Sequence, residues 1–255
     1  MGLRCSLTNS ATGLLLAVAC FPASAADICA PADIHGPYGF QLAGTTTISG
    51  SETPIASVGR LVFDGASTIT SGVSSVNFNG LFLGNPITGN YETKADCTMT
   101  LNLQDTSGAF QHFTGKAAPG GDRVEIQQSD PGTGERGLMV RSADGCDATG
   151  FHGQYNFTMS GRQTPLASEG SKGSGSARAL VQADGNGNLV LLRGNTKTSG
   201  TYTVDSECVV QLDFGLGDGD SSTSVKLRGI LVNGGKEMLA IETDPEQVAS
   251  ARFSQ

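Results

Sequence analysis

Residues Cys29 to Gly44, CAPADIHGPYGFQLAG, recur as CDATGFHGQYNFTMSG from Cys146 to Gly161. Cysteine, histidine, glycine, tyrosine, phenylalanine and a final glycine stand at the same offsets, without a gap. Inside the first segment Tyr38, Phe40 and Leu42 alternate with glycine, glutamine and alanine. A period of two with one apolar face is typical of a half-buried β-strand. This stretch therefore predicts two tandem copies of a domain that opens with a strand.

Two further blocks repeat in the same order. GNYETKADCTMTLNL from Gly89 aligns with GTYTVDSECVVQLDF from Gly200. Gly120-Gly121 followed by Asp130-Pro131 matches Gly234-Gly235 followed by Asp244-Pro245 at equal spacing. A period above roughly 100 residues indicates a duplicated domain, since solenoid repeats span about 20–50 residues. We divide the chain into a leader at 1–25, a first repeat at 26–143 and a second repeat at 144–255.

The fold class follows from the alternation and the turn residues. Cys97, Met99, Leu101 and Leu103 share one face of a predicted strand, as do Val210, Leu212 and Phe214 in the second copy. The chain has 36 glycines and no tryptophan, and Gly, Asp-Gly and Asp-Pro turns divide each copy into about eight short strands. Closing such strands into an up-and-down antiparallel barrel buries one face and removes exposed edges. A pair of β-sandwiches is the alternative.

A family resemblance rests on the start of the first strand. His35-Gly36-Pro37-Tyr38 and the matching His152 to Tyr155 resemble the Gly-x-Trp opening of the lipocalin and wider calycin barrels, with Tyr in place of Trp. The resemblance implies an Arg on the last strand over that ring. Arg252 occupies the expected place in the second copy, and Leu138 aligns with it in the first. The overall pattern is also similar to the allene oxide cyclase-like and dirigent barrels.

The first 25 residues are typical of a bacterial-type export signal. Arg4 precedes the short apolar run from Gly13 to Phe21, and Ala23-Ser24-Ala25 forms a small-residue cleavage site. The mature protein is therefore expected to be secreted or periplasmic. Leu16 to Cys20 also resembles a lipobox, which would place a lipid anchor on Cys20 of an envelope lipoprotein. The apolar run of the leader is too short to span a bilayer, and no other segment approaches the roughly 18 apolar residues of a spanning helix.

Charge and cysteine content narrow the partners further. A formal net charge of −8 without basic clusters argues against nucleic acid and anionic membrane surfaces. Cys29, Cys97, Cys146 and Cys208 follow the leader, two at aligned positions in each copy. In an exported protein such pairs predict disulfides, and duplication favours Cys29–Cys97 and Cys146–Cys208. No Cys-x-x-Cys spacing indicates a zinc site, and no cofactor motif is present.

Histidines are the most conspicuous chemical candidates. His35 and His152 recur in both copies and could act as a base, a metal ligand or a pH switch, or could cap the turn before the first strand. His112 aligns with Lys226, so a third ligand is missing in the second copy. We therefore predict no metal site and assign no catalytic residue. His152 with Glu242 is the one acid–base pair worth testing in the second copy.

All four tyrosines are duplicated: Tyr38, Tyr91, Tyr155 and Tyr202. They could orient a ligand in a barrel lumen, or plug the lumen with their hydroxyls on backbone groups. Glu242, which aligns with Gln128, joins them as a candidate ligand-binding residue. Its face is ambiguous: Val124 and Ile126 share a face with Gln128, whereas Leu239 and Ile241 lie opposite to Glu242.

Three functions remain open, besides an outer-membrane barrel, which needs girdles of aromatic residues that a chain with no Trp and four Tyr hardly supplies. The first is a non-catalytic exported module whose barrels bind a small apolar molecule. The second is a filled-barrel module for structure or interaction in the envelope. The third is an isomerase or cyclase of the allene oxide cyclase-like type, which we favour least because the copies share no acid–base pair. A lumen of about 300 Å³ or more would favour the first, and a plugged lumen the second.

Overall fold

The computed structural model describes residues 29–167, 176–216 and 223–255 and contains two closed eight-stranded antiparallel β-barrels. The predicted all-β fold with two tandem barrels is thereby confirmed. The predicted signal at 1–25 and the lipid anchor at Cys20 lie outside the described residues. Among the described residues, no helix is long and apolar enough to cross a membrane.

Barrel 1 is formed by the first eight strands, each hydrogen-bonded to the next, with β8 closing on β1. These strands are β1 (His35–Ile48), β2 (Ser51–Asp64), β3 (Thr68–Phe78), β4 (Leu81–Thr93), β5 (Thr98–Asp105), β6 (Phe110–Ala117), β7 (Arg123–Gln128) and β8 (Arg136–Arg141).

Barrel 2 repeats this order, with β16 closing on β9. Its strands are β9 (His152–Gln163), β10 (Ala177–Asp184), β11 (Asn188–Arg193), β12 (Thr196–Val204), β13 (Val209–Leu216), β14 (Thr223–Val232), β15 (Glu237–Glu242) and β16 (Gln247–Ser254). Single 3-10 turns at Pro31–Asp33 and Ala148–Gly150 precede the first strand of each barrel, and a third follows β14 at Asn233–Gly235.

One disulfide in each barrel joins the segment before the first strand to the turn after the fourth. The pairs are Cys29–Cys97 and Cys146–Cys208, as predicted from the duplication. They close loops with sequence separations of 68 and 62 residues. A loop of that size corresponds to about 4 kcal/mol of stabilisation per bridge in the loop-entropy model. We call the bridged end of each barrel its lower end and the opposite end its upper end.

The barrels pack side by side through their outer faces. β1 and β2 of barrel 1 lie against β14, β15 and β16 of barrel 2. Val58 belongs to the same buried apolar cluster as Leu239 and Ile241. Gly39 permits the close approach, because a Cβ atom there would lie 2.5 Å from Cγ1 of Val232. This contact buries β15 on both faces, which explains why its sequence left the inner face ambiguous.

Polar side chains of barrel 1 bind backbone carbonyls of barrel 2 inside this seam. The amide of Gln41 donates to the carbonyls of Ala240 and Ala251 at 2.5 and 2.8 Å. The amide of Asn77 donates to the carbonyls of Glu242 and Gln247 at 3.0 and 2.9 Å. Buried polar groups that are fully paired fix one orientation, since any other leaves them without partners.

The seam joins two different faces of the repeat. Strand register makes β14–β16 the counterparts of β6–β8, and β1–β2 the counterparts of β9–β10. Such a heterologous contact leaves one free copy of each face, which could bind another molecule. At the positions that form the seam, the free copies carry polar residues: Ile230, Leu239 and Ile241 correspond to Lys116, Glu125 and Gln127, and Gly39, Gln41 and Val58 correspond to Asn156, Thr158 and Arg178.

Candidate functional site

The four tyrosines form the lower floor of the lumens. Their hydroxyls donate to backbone carbonyls: Tyr38 to Gly121 at 2.8 Å, Tyr91 to Ile34 at 2.9 Å, Tyr155 to Gly235 at 2.7 Å and Tyr202 to Phe151 at 2.8 Å. All four rings are buried. Burial raises the pKa of Tyr38 to about 12, so its hydroxyl stays protonated as a donor. This geometry matches the plug that the sequence offered as an alternative to ligand binding.

The floor is completed by phenylalanines from different positions in the two copies. In barrel 1 the ring of Phe63 contacts Tyr38 and Tyr91 edge to face, with centroids 5.2 and 4.9 Å apart. In barrel 2 the ring of Phe151 lies between Tyr155 and Tyr202, at 4.6 and 5.0 Å. Aromatic pairs in these arrangements are favourable beyond the area that they bury.

The arginine over the first-strand tyrosine is not the one that the resemblance implied. Arg252 points outward and pairs with Glu237 at 3.3 Å, so that expectation was wrong. Instead Arg141 of β8 lies over the ring of Tyr38, 5.0 Å from its centroid, and donates to the carbonyl of His35 at 2.6 Å. Arg252 takes the outer face because side chains alternate along β16, and Phe253 fills the lumen.

Both repeated histidines cap turns at the lower end. Nδ1 of His35 donates to the carbonyl of Ala32 at 2.8 Å, and Nδ1 of His152 donates to that of Thr149 at 2.6 Å. Both side chains are exposed. His112, at the upper end of barrel 1, pairs with Asp130 at 2.6 Å. Among the described residues, no group of three or more His, Cys, Asp or Glu side chains could hold a metal ion.

Barrel 1 holds a buried acid in its upper lumen that sequence reasoning missed. Glu135 is 3% exposed, and its nearest polar partner is the hydroxyl of Ser57 at 3.5 Å. Desolvation by burial raises its pKa to about 7. The acid borders a cavity of about 20 Å³ among apolar side chains that include Leu42, Val76 and Phe113. That volume fits about one water molecule.

Barrel 2 holds Glu242 in its upper lumen, fully buried. Its Oε1 accepts from the backbone N–H of Lys226 at 3.2 Å, and its Oε2 accepts from the amide of Gln247 at 3.2 Å. Burial raises its pKa to about 8. Gln128, its aligned residue, also faces inward and is buried. The side chains of Gln128 and Glu242, whose orientation the sequence left open, therefore both face the lumen.

The two buried acids occupy the two halves of one cross-strand pair, Glu135 in barrel 1 and Glu242 at the partner position in barrel 2. Gln128 stands opposite Glu135 in barrel 1, and the backbone N–H of Gln128 donates to the carbonyl of Glu135. In barrel 2 the same two positions hold Glu242 and Ala249. Each upper lumen therefore keeps one acid, on opposite strands of one hairpin. Column-by-column alignment could not detect this, because neither acid has an acidic counterpart in its own column.

His152 and Glu242, the pair singled out for testing, lie at opposite ends of barrel 2. His152 begins β9, while Glu242 accepts from Gln247, whose strand partner Gln163 ends β9. Eleven residues of extended chain separate these ends by roughly 30 Å. The pair cannot transfer a proton between its members, and this hypothesis was wrong.

Larger concavities lie outside the lumens, along the seam between the barrels. A groove of about 750 Å³ runs over the outer face of β6–β8 to β16. Clefts of about 450 and 330 Å³ lie elsewhere along the same seam. The groove is lined by Lys116, Arg123, Glu125, Arg136 and Leu138 of barrel 1 and Arg252 of barrel 2. Its wall from barrel 2 exists only because the barrels pack together.

Glu237 links the two arginines at the barrel junction of this groove. Its carboxylate accepts from Arg123 at 2.6 and 2.8 Å and from Arg252 at 3.3 Å. The pKa of Glu237 lies below its ordinary value: desolvation raises it, but the bonds and charge of Arg123, Asn233 and Arg252 outweigh that effect. The carboxylate stays ionised and holds both guanidinium groups beside the groove.

Comparisons with known proteins identify no family for this chain. No protein-family model and no curated protein sequence matches the chain. Among solved structures there is a likeness to the Myxococcus xanthus hemagglutinin, crystallised in complex with a3,a6-mannopentaose. The identity is 12%, covering 85% of this chain and 99% of that chain, at a TM-score of 0.19. A TM-score that low carries no argument, and none of the comparisons supports the resemblance to calycin or lipocalin barrels.

Proposed function

We propose that the protein is an exported, non-catalytic recognition module that binds its ligand in the groove between its barrels. The observation that carries this proposal is the distribution of space. The cavity in the upper lumen of barrel 1 measures about 20 Å³, and the groove outside measures about 750 Å³. Small-molecule sites typically measure about 300–1,000 Å³, which the groove reaches and this cavity does not.

Export is supported by two features. The leader sequence has the three parts of a signal peptide. Both disulfides are consistent with an extracytoplasmic location, because thiols remain reduced in the cytosol of most cells. We also propose that the boundary between the two repeats lies between residues 143 and 144.

A non-catalytic role is supported by the isolation of the titratable groups. A general base must reach the proton that it abstracts, and combined acid–base catalysis needs an acid and a base at the same site. Glu135 has Ser57 at the edge of that range and Glu242 has Gln247 and a backbone N–H, while both repeated histidines lie at the other end of the barrels. Among the described residues, the isomerase or cyclase alternative therefore has no histidine–carboxylate pair inside either lumen, because His112 and Asp130 pair at the outer, upper rim of barrel 1.

Binding of a small apolar molecule inside the lumen is the second candidate. Glu135 favours it, because a buried acid with a raised pKa beside an apolar cavity is a common feature of ligand sites. The ligand would have to enter by opening the upper rim of barrel 1.

Two variants separate the groove from the lumen. Thr114→Trp places a large ring on the exposed outer face of β6 in the groove, and Glu135→Gln removes the lumen acid without changing its shape. Each oxidised protein would be applied to glycan, peptide and lipid arrays. We expect ligands of the wild type to be lost with Thr114→Trp and retained with Glu135→Gln. The opposite pattern, or a stoichiometric apolar molecule found by native mass spectrometry of protein from its host, would favour the lumen.

A further inference from the structure

Resting on the groove proposed above, we infer that the ligand is an acidic polysaccharide, a chain of sugars that carries carboxylates or sulfates. Four cationic side chains line this one groove: Lys116, Arg123, Arg136 and Arg252. The chain as a whole has a formal net charge of −8, so this concentration of positive charge is local. Summed charge of one sign in a concave surface attracts ligands of the opposite sign.

The positive sign is not required by the fold. The groove covers the free counterpart of the face with which barrel 2 docks, and Lys116 replaces the apolar Ile230 of that face. Charged residues of either sign would prevent another barrel from packing on this free face, and acidic residues, which outnumber basic ones in this chain, would serve equally well. Basic residues therefore need another reason, and recognition of an anion supplies one.

Two of the cations are available to a ligand. Arg123 and Arg252 share the carboxylate of Glu237. Lys116 and Arg136 are exposed, and among the described residues neither makes an ion pair. The side chain of Lys116 also donates to the backbone carbonyl of Asp96, and its charge helps to lower the pKa of the Asp96 carboxyl, so Asp96 balances part of that charge. A planar guanidinium such as that of Arg136 can bind a carboxylate or sulfate through two parallel hydrogen bonds.

Glu125 narrows the ligand further. Its exposed carboxylate stands among the cations, where it repels a bare polyanion but accepts hydrogen bonds from hydroxyl groups. The hydroxyls of Thr98 and Thr114 and the amide of Gln127 can both donate and accept. A ligand that carries anionic groups and many hydroxyls satisfies all of these groups at once. The residues that line the groove include no aromatic side chain, so stacking of nucleobases has no platform there.

The test measures binding of the full-length oxidised protein to oligogalacturonate, heparin oligosaccharides, neutral dextran and inorganic polyphosphate at low and high salt. We expect binding to one of the two acidic glycans that weakens with salt, and weaker binding to dextran and polyphosphate. Lys116→Glu/Arg136→Glu should weaken glycan binding about tenfold or more. Arg178→Glu/Arg193→Glu makes the same change in net charge at exposed residues of barrel 2, and should stay within about twofold of wild type. Glu125→Ala should improve polyphosphate binding relative to glycan.

Several outcomes overturn the inference. Wild-type protein that binds neither acidic glycan at low salt would do so, as would equal weakening by the two charge-reversal variants. Polyphosphate bound as tightly as the glycans would assign the site to bare polyanions. Neutral dextran that is bound by the wild type and lost with Thr114→Trp would overturn the anionic ligand but leave recognition in the groove intact. Loss of all array ligands with Glu135→Gln instead would overturn the groove itself.

Discussion

Single residues show how two copies preserve one interior while their aligned positions diverge. The lower floor of barrel 1 combines Ile34 with Phe63, and the equivalent positions in barrel 2 hold Phe151 and Ala183. One ring fills the same space from either position. The upper lumens exchange an acid between Glu135 and Glu242 in the same way. A densely packed interior has room for one ring at this place, because two rings would overfill it and none would leave a cavity. A substitution at one of the two positions must therefore be accompanied by a compensating substitution at the other.

This exchange of ring position in the lower floor predicts that substitutions at Ile34 and Phe63 have strongly coupled effects on stability. Phe63→Ala should reduce the free energy of unfolding by about 3–5 kcal/mol, because it leaves a cavity beside Tyr38 and Tyr91. Adding Ile34→Phe should recover about 1–3 kcal/mol, since it restores the arrangement seen in barrel 2. Ile34→Phe alone should be destabilising through overpacking. Denaturant unfolding of the four proteins measures this cycle, and simple additivity would contradict it.

The buried acids predict an unusual dependence of stability on pH. The folded pKa values of about 7 for Glu135 and about 8 for Glu242 exceed the ordinary value of 4.5. Between about pH 4.5 and 8 the folded state therefore binds more protons than the unfolded state. Stability must fall as pH rises through this window, by at most about 1.4 kcal/mol per pH unit for each acid, and level off above it.

Glu242→Gln should flatten the upper part of that decline. The amide mimics the protonated acid and cannot ionise, so stability above pH 7 should increase relative to wild type. Glu92→Gln, a change at an exposed acid of β4, is the matched control and should leave the slope unchanged. Melting temperatures between pH 5 and 9 measure the effect. A wild-type stability that stays level or rises across this window would show that the folded state does not raise the pKa values of these acids.

Among the elements, β15 and its counterpart β7 have the same place in their barrels but different surroundings. Both strands are buried on their inner faces, where Met238 and Ala240 correspond to Val124 and Ile126. The outer face of β15 is also buried, because barrel 1 covers it. The outer face of β7 lines the groove. One repeat sequence has thus become a two-faced strand in one copy and a half-exposed strand in the other.

Exchanging one outer-face residue between these two strands should change the stability of the protein far more in β15 than in β7. Ile241→Gln places an amide in the apolar seam and should destabilise the protein by about 2–4 kcal/mol. Gln127→Ile, the reciprocal change in the open groove, should alter stability by about 0.5 kcal/mol or less. Chemical denaturation of both variants checks the difference. Similar effects for the two changes would mean that the seam contributes little.

At the scale of the whole molecule, the seam joins the two barrels while leaving each barrel closed. Its polar contacts, such as those of Gln41 and Asn77, specify the orientation, and its apolar contacts hold the faces together. The groove that we propose as the binding site depends on this orientation, because Arg252 reaches it from barrel 2.

Barrel 2 expressed alone tests this organisation. Residues 146–255 should fold cooperatively under oxidising conditions, because their barrel and disulfide are complete. The fragment should self-associate through the exposed face of β14 and β15. Ile230→Lys/Leu239→Glu/Ile241→Gln installs the residues of barrel 1 on that face and should give a monomer. Sedimentation and circular dichroism distinguish these states. An unfolded fragment would show that the barrels depend on each other to fold.

The sequence by itself determined the duplication, the strands and the disulfide pairs. All of these depend on local periodicity or on equivalence between the copies. For the tyrosines and histidines it left two roles open each, and the geometry matches the alternatives of plug and turn cap.

Only the tertiary structure decided what the outer faces do. Periodicity reveals that a strand has an apolar face, but not whether a second barrel covers the other face, so β15 could not be oriented. Compensating exchanges, such as Glu135 with Glu242, appear only when strands are placed side by side. The groove gathers residues from five strands and both copies, and cations that are scattered in the chain become neighbours there. Local patterns record burial along one strand, whereas a binding surface arises from the packing of strands that are distant in sequence.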